Sequence, residues 1–343
     1  MLQKKKIILG LSVLLFLLVG IFAILIFSKD KSIGSVPSQI ATSSTEIRVQ
    51  FFGDIMLDRN VAKAMGAKGL NYIFAKLSPT STVFTGADIQ IANLEGPFAP
   101  TRVKTSKSIA FRFDPKLAAQ LKSYGFTAFD LANNHSYDMG RANVAFTRET
   151  LKKAELGYFG DELKEGSELT FVTNTVAFLG LHNTYHELNW TKVKQSIDDA
   201  KNKAGYVVVN IHWGEEYKRL SNKKQRDTAH RLVDLGATAV IGHHPHVIQE
   251  MEIYKDKPIF YSLGNFIFDQ YFSKDTQEGY SVELTLDEGK LKDIQLIPFY
   301  GVKSQVQLMT EERKTQFLDW FGKNSRLGAY IIINGIISFT STP

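Results

Sequence analysis

The sequence predicts an α/β protein set behind an uncharged N-terminal span. Three features carry this expectation. Short apolar runs recur from Glu46 onward and alternate with helix-like segments. Many of these runs stop abruptly at an Asp, Glu, Asn or His that is followed closely by Gly or Pro. Beyond Val247 the alternation gives way to consecutive strands, which suits a sheet edge or a second sheet packed on the first.

The chain has 343 residues, 44% of them hydrophobic and 22% charged, enough for one large domain or two small ones. Cys is absent, which excludes disulfides and thiolate metal sites. Half of the net charge of +6 lies in residues 1–46, where five Lys face two acids. The remainder is too evenly balanced to argue for nucleic acid.

Lys4–Lys6 precede Ile7–Phe27, which holds no charge and no Pro. At about 1.5 Å per residue a helix of this length spans a hydrocarbon core of about 30 Å. A cleavable signal peptide has a shorter apolar core of about 7–15 residues and a small-residue cleavage site, and Phe27-Ser28-Lys29-Asp30 is a poor one. The expectation is a cytoplasmic tail (1–6), a single-pass signal anchor (7–27) with a cytoplasmic N-terminus and the rest extracellular, and a flexible stalk (28–45). A cleaved signal peptide is the alternative, and it also exports the domain.

The domain is expected over 46–305, with a helix and an extension over 306–343. Glu46–Phe52 reads as the first strand and delivers Asp54, either a ligand or the cap of the next helix. Asp88–Ala92 is a short strand leading to Glu95. Asp114–Tyr124 is a helix with Asp as N-cap and Pro at N1. Phe126–Ala132 ends in Asn133-Asn134-His135, a site for a metal or phosphate, or an Asn-rich turn. Helices follow over Arg141–Glu155 and Val193–Ala204, with short strands within Thr170–His182 and with His182 and His186 read as loop residues. Gly205–Ile211 is a buried strand that delivers His212. Asn222–Leu235 is a helix stopped by Gly236. Ala237–Ile241 leads to the densest signal of all, Gly242-His243-His244-Pro245-His246. Strands over Val247–Tyr254 and Pro258–Ser262, a hairpin of Gly279–Leu286 with Lys290–Tyr300, a helix over Glu311–Lys323 and a strand over Tyr330–Phe339 complete the chain.

In open α/β sheets ligands bind at the carboxyl ends of the strands. The strand-end set is Asp54, Glu95, Asn134, His135, His212, His243, His244 and His246. Oxygen and imidazole donors without sulfur suit a divalent metal, Mn, Fe or Zn, as one or two ions. A carboxylate bridging two such ions about 3.5–4 Å apart would make a two-metal hydrolytic centre, in which a nearby His protonates the leaving group. A Walker loop and a Gly-x-Ser-x-Gly elbow are both missing, which argues against nucleotide-driven phosphoryl transfer and against a serine hydrolase.

The blocks GDIMLDR, NLEGP, NNHSYDMG, HWGEEY, GHHPHV and YSLGNFIFDQ, in this order from about Ile47 to Tyr300, resemble the CapA/PgsA family of capsule and poly-γ-glutamate biosynthesis proteins. The resemblance implies a calcineurin-like metallophosphoesterase fold, a four-layer α/β/β/α sandwich of two mixed sheets. It implies metal ligation by Asp54, Glu95, Asn134, His212, His244 and His246, and His135 matches its Asn-His block. His135 and His243, a histidine extra to the family pattern, are taken as catalytic candidates, and Arg59, which can also pair or cap, and Asn265 as substrate-binding candidates. Two departures stand out. Met56 occupies the place of the phosphoesterase Asp-x-His histidine, and Glu95 stands for the bridging aspartate. Three functions are compatible with this pattern. One is an anchored envelope-assembly protein working with poly-γ-glutamate synthase or export subunits. The others are a free-standing phosphoesterase and a silent module that binds an anionic polymer.

Overall fold

The structure is a computed structural model, and it describes residues 46–77, 83–160, 170–173, 175–287 and 290–339. The expected tail, anchor and stalk lie outside the described residues. Among the described residues no helix is long and apolar enough to cross a membrane.

Two mixed sheets form the centre. The first is built on β1 (Ile47–Ile55), β2 (Ile89–Leu94), β3 (Ala128–Asp130) and β4 (Gly157–Phe159), which run parallel in that order. On the other side of β1 lie the antiparallel β12 (Glu278–Asp287) and β13 (Lys290–Val302), with β11 (Asn265–Ile267) parallel to the end of β1. The second sheet has the order β5 (Thr170–Val172), β6 (Val176–Asn183), β7 (Tyr206–Trp213), β8 (Ala239–His243), β10 (Lys257–Phe260) and β9 (Met251–Tyr254). β6, β7, β8 and β10 are parallel, and β5 and β9 close the edges in antiparallel pairing.

Side-chain alternation makes the layers. Val49, Phe51 and Ile91 of the first sheet meet Phe178, Val208 and Ile241 of the second in one buried apolar cluster, with Phe51 and Phe178 ring centroids 6.1 Å apart. Each such fully buried side chain contributes roughly 1.5–3 kcal/mol. Phe52, Ala92 and Phe129 turn to the opposite face. There they pack with Val61 of α1 (Arg59–Met65), Leu70 of α2 (Leu70–Ile73), Leu121 of α3 (Leu117–Ser123) and Leu151 of α4 (Arg141–Lys153). Val207 and Val209 on β7 and Val240 on β8 pack with Val193 and Ile197 of α5 (Trp190–Lys201) and Leu232 of α6 (Lys223–Leu235). The α6 boundaries follow local chemistry. Asn222 and Gln225 form a capping box, and Gly236 takes the left-handed C-cap at φ 118°.

Residues on either side of 305/306 contribute to the same sheet and core. β14 (Gln305–Leu308) pairs with β13, and Phe317 and Phe321 of α7 (Glu311–Asn324) enter the inter-sheet core beside Tyr280. The single strand expected over Tyr330–Phe339 is a hairpin, β15 (Tyr330–Ile333) and β16 (Ile336–Phe339), with β16 paired to β13. Asn334 and Gly335 between them both hold positive φ, as a tight hairpin turn requires.

Candidate metal centre

The parallel strands of both sheets bring their carboxyl ends to one place. Asp54 stands near the end of β1, Asn93 and Glu95 at the end of β2, His212 on β7 and His243 on β8. β1 and β7 run three and two residues further than the apolar pattern indicates, so Asp54 and His212 are strand residues rather than loop residues. Asp54, Glu95 and His212 are fully buried. His244 and His246 follow β8 on a turn with φ of 97° and 58°. A bulky L-residue in that region is strained. Here the strain turns two imidazoles toward the carboxylates.

The donors fall into two sets. Asp54, Glu95 and His212 offer ligand atoms within 4.8 Å of one another, and so do Glu216, His244 and His246. His212 Nε2 lies 2.8 Å from Asn134 Oδ1 and 3.1 Å from His244 Nδ1. Three atoms with lone pairs gathered at that spacing need a shared proton or a cation. Both oxygens of Glu95 are buried without a hydrogen-bond partner among the described residues. A carboxylate left so costs several kcal/mol unless it is neutralised or bound to a metal. The residues present therefore fit a divalent cation.

Electrostatics favour ligation at His212 and His244, while His246 carries a proton that a bound cation must displace. Burial works to raise the Asp54 carboxyl, but hydrogen bonds and charge from His243 and His246 outweigh it and hold Asp54 well below the ordinary carboxylate range. Burial pushes Glu95 well above that range. Burial also opposes a charge on His246, yet Glu95 and Asp54 overcome it and push the ring up to about 9. Burial takes His244 down to about 3 and holds His212 well below its usual value, so both are neutral, the ligating form.

The surrounding residues hold these donors in place. Asn93 Nδ2 donates to Asp54 Oδ1 at 2.8 Å and lies 3.3 Å from His212 Nδ1, while Asn133 Nδ2 donates to Asn93 Oδ1 at 3.0 Å. His135 gives Nδ1–H to Asp138 Oδ2 at 2.6 Å, which leaves its Nε2 3.9 Å from Glu95 Oε1. Asp138 also accepts from Lys107 Nζ and the Phe111 amide, each at 2.7 Å.

The expected substrate and catalytic residues divide. Arg59 pairs with Asp269 and lies 4.9 Å from the centroid of Phe111, whose ring packs against His135 at 4.2 Å, so it is beside the centre. Asn265 is buried, and its amide is engaged by protein. Oδ1 lies 3.0 Å from His246 Nδ1, and Nδ2 donates to Gln270 Oε1 and the Thr276 carbonyl. It orients His246. His243, expected to act catalytically, has a fully buried side chain with Nδ1 3.4 Å from Asp54 Oδ1. Its ring stands beside the Asp54 carboxylate.

Residues beyond the expected set also belong here. His182, read from the sequence as a loop residue, is on β6 in register with His212, ring centroids 5.8 Å apart. The signal that finds His212, an apolar run ending in His, is present before His182 as well. Asn93, Asp138 and Glu216 lie inside the NLEGP, NNHSYDMG and HWGEEY blocks.

Residues 48–270 match the model of the family described as bacterial capsule synthesis protein PGA_cap. The chain belongs to this family. It is 30% identical over 279 residues to the capsule biosynthesis protein CapA of Bacillus anthracis, covering 74% of this chain and 67% of that one. It is 30% identical to the PGA biosynthesis protein CapA of Bacillus subtilis, covering 79% and 76%. It is also 30% identical to a probable polyglutamine synthesis accessory protein of Mycobacterium tuberculosis, covering 65% and 68%. The PGA_cap match includes every residue of the centre described above.

Proposed function

We propose that this capsule synthesis protein is a membrane-anchored, extracellular metal-dependent hydrolase that acts on poly-γ-glutamate beside its synthase and export subunits. The single observation that carries the hydrolytic part is the convergence of buried Asp54 and Glu95 with His212, His244 and His246. The name of the Bacillus subtilis relative, a PGA biosynthesis protein, supports the polymer, and Ile7–Phe27 supports the anchor.

Asp54, Glu95, Asn134, His212, His244 and His246 would hold one or two divalent ions, of Mn, Fe or Zn type. A bound divalent cation lowers the pKa of water and polarises the bond under attack. The protein's own part is to place and move protons. With Nδ1–H committed to Asp138, His135 presents Nε2 to the cleft. Burial lowers its pKa against the opposing pull of Asp138, so the ring is poised to take a proton from attacking water. That proton passes to the leaving amine as the water oxygen joins the carbonyl carbon and the C–N bond breaks. Arg59 meets polymer carboxylates at the edge of the centre.

A phosphoester substrate is the second reading, because the same donor set serves attack on phosphorus as readily as on carbon. The test uses metal-loaded protein against γ-glutamyl polymer and against phosphomono- and diesters, with His244→Ala as the control. Polymer shortening lost in His244→Ala supports the first reading, and phosphate release lost in that variant supports the second. Polymer binding by metal-loaded protein with turnover of neither substrate would refute both and leave a binding module.

A further inference from the structure

We infer that Glu216 is a metal ligand of this centre, and that with His244 and His246 it forms a second, solvent-edge cation site replacing the histidine that position 56 lacks. The inference rests on the metal-centre reading above. Met56 cannot serve, because its side chain is buried in the helix-side apolar cluster and its Sδ accepts the Asp58 amide at 3.1 Å. A thioether is also a poor donor for Mn or Zn.

Glu216 has what Met56 lacks. Its carboxylate and one nitrogen each of His244 and His246 lie within 4.8 Å of one another. The chain beside it is fixed to the histidine turn, since the Tyr217 amide donates to the carbonyl of Pro245 at 2.8 Å. Tyr217 holds φ 64°, and its hydroxyl accepts from Gln270 Nε2 at 3.2 Å. The neighbouring Glu215 faces elsewhere, accepting from the helix-capping Asn222 at 3.4 Å.

Charge gives an independent reason. Glu216 is the third acid on a centre that already holds Asp54 and Glu95, and its carboxylate lies within 4.8 Å of a nitrogen of each of His244 and His246. Among the described residues no lysine or arginine pairs with any of the three. Glu95 Oε1, buried without a hydrogen bond, lies 3.6 Å from His246 Nε2, between the two donor sets. Three carboxylates faced only by imidazoles, with no lysine or arginine paired to them, favour cations that offset their mutual repulsion. The two sites then differ. Asp54, Glu95 and His212 are buried, whereas Glu216 is exposed, so the edge ion is the weaker and faster to exchange.

The test is metal stoichiometry, independent of turnover. Full-length protein extracted in mild detergent is stripped with chelator and titrated calorimetrically with Mn2+, and bound metal is counted by inductively coupled plasma mass spectrometry. Wild type is expected to bind two ions. Glu216→Gln is expected to keep the tight ion and to lose affinity for the weak one by ~100-fold or more, beyond the 10–100-fold typical of residues behind the ligands. Glu216→His, which restores an imidazole donor, recovers the second ion. Circular dichroism of each variant checks the fold. Two ions of unchanged affinity in Glu216→Gln, or a single wild-type ion unaffected by that change, would overturn the inference and leave the metal centre standing. Wild type that binds no Mn2+ would instead overturn the metal-centre reading, and the inference with it.

Discussion

Gly242 is where the strand that delivers the histidines is most exposed to a single added methyl group. It lies on β8, and a Cβ there would come 2.0 Å from the carbonyl oxygen of Tyr261 and 2.6 Å from Nε1 of Trp213. Since 3.0 Å is the practical limit of approach, β8 and the segment after β10 must part by at least about 1 Å. That shift strikes the bond from Trp213 Nε1 to the Tyr261 carbonyl, 2.9 Å long and fully buried. Overpacking costs roughly 1–3 kcal/mol and the lost hydrogen bond about 1 kcal/mol. Gly242→Ala is thus expected to destabilise the fold by about 2–4 kcal/mol, a fall in Tm of roughly 3–7 °C for a domain of this size. Urea and thermal unfolding measure it. Gly205→Ala is the matched control, because its nearest neighbour would be 3.9 Å away, and it should be neutral or slightly stabilising. A Gly242→Ala protein within about 0.5 kcal/mol of wild type would refute the steric reasoning.

Asp138→Asn removes the negative acceptor of three donors, His135, Lys107 and the Phe111 amide. It should cost about 1.5–3 kcal/mol of stability and roughly 10–100-fold in hydrolytic rate, read by urea unfolding and initial rates; an unchanged rate would show that His135 needs no partner. Burial raises the Asp130 carboxyl well above its ordinary value, so the folded state holds a proton that the unfolded chain releases. Stability from this group is therefore full below the unfolded pKa of 3.8 and falls as pH rises toward the raised folded value. Asp130→Asn should abolish that slope and leave the protein at least as stable as wild type at pH 7, checked by urea midpoints from pH 4 to 8; a less stable variant at pH 7 would contradict this. Metal at 100 times its Kd should stabilise the fold by about 2.7 kcal/mol, and chelator should reverse the rise in Tm; equal melting curves with and without Mn2+ would argue against a centre built from these residues.

Most of the centre was legible because its donors stand at ends of apolar runs. Asp54, Glu95, Asn134, His212, His244 and His246 each follow a run of side chains suited to a buried strand, and a strand's last residue is the one that leaves the sheet. His243 and Asn265 were legible as polar residues near the centre, but not the partners they meet there. Whether a side chain faces the cleft or the protein behind it depends on the pleat and on neighbours distant in sequence. His182 was missed although its apolar run matches that of His212, because only the β6–β7 register sets the two rings side by side.

The sequence alone determined the α/β class, the four-layer expectation carried by the resemblance, the α6 caps, and the identity of the polar groups that strand ends would bring forward. These are local matters of periodicity, capping and residue type. The tertiary structure decided which of those groups meet. It placed Glu216 with His244 and His246, put His243 beside Asp54, gave Asn93 to both Asp54 and His212, and joined residues 306–339 to the same core. The physical reason is that convergence arises from strand order and register between two sheets, and those are fixed by packing among residues tens to hundreds of positions apart.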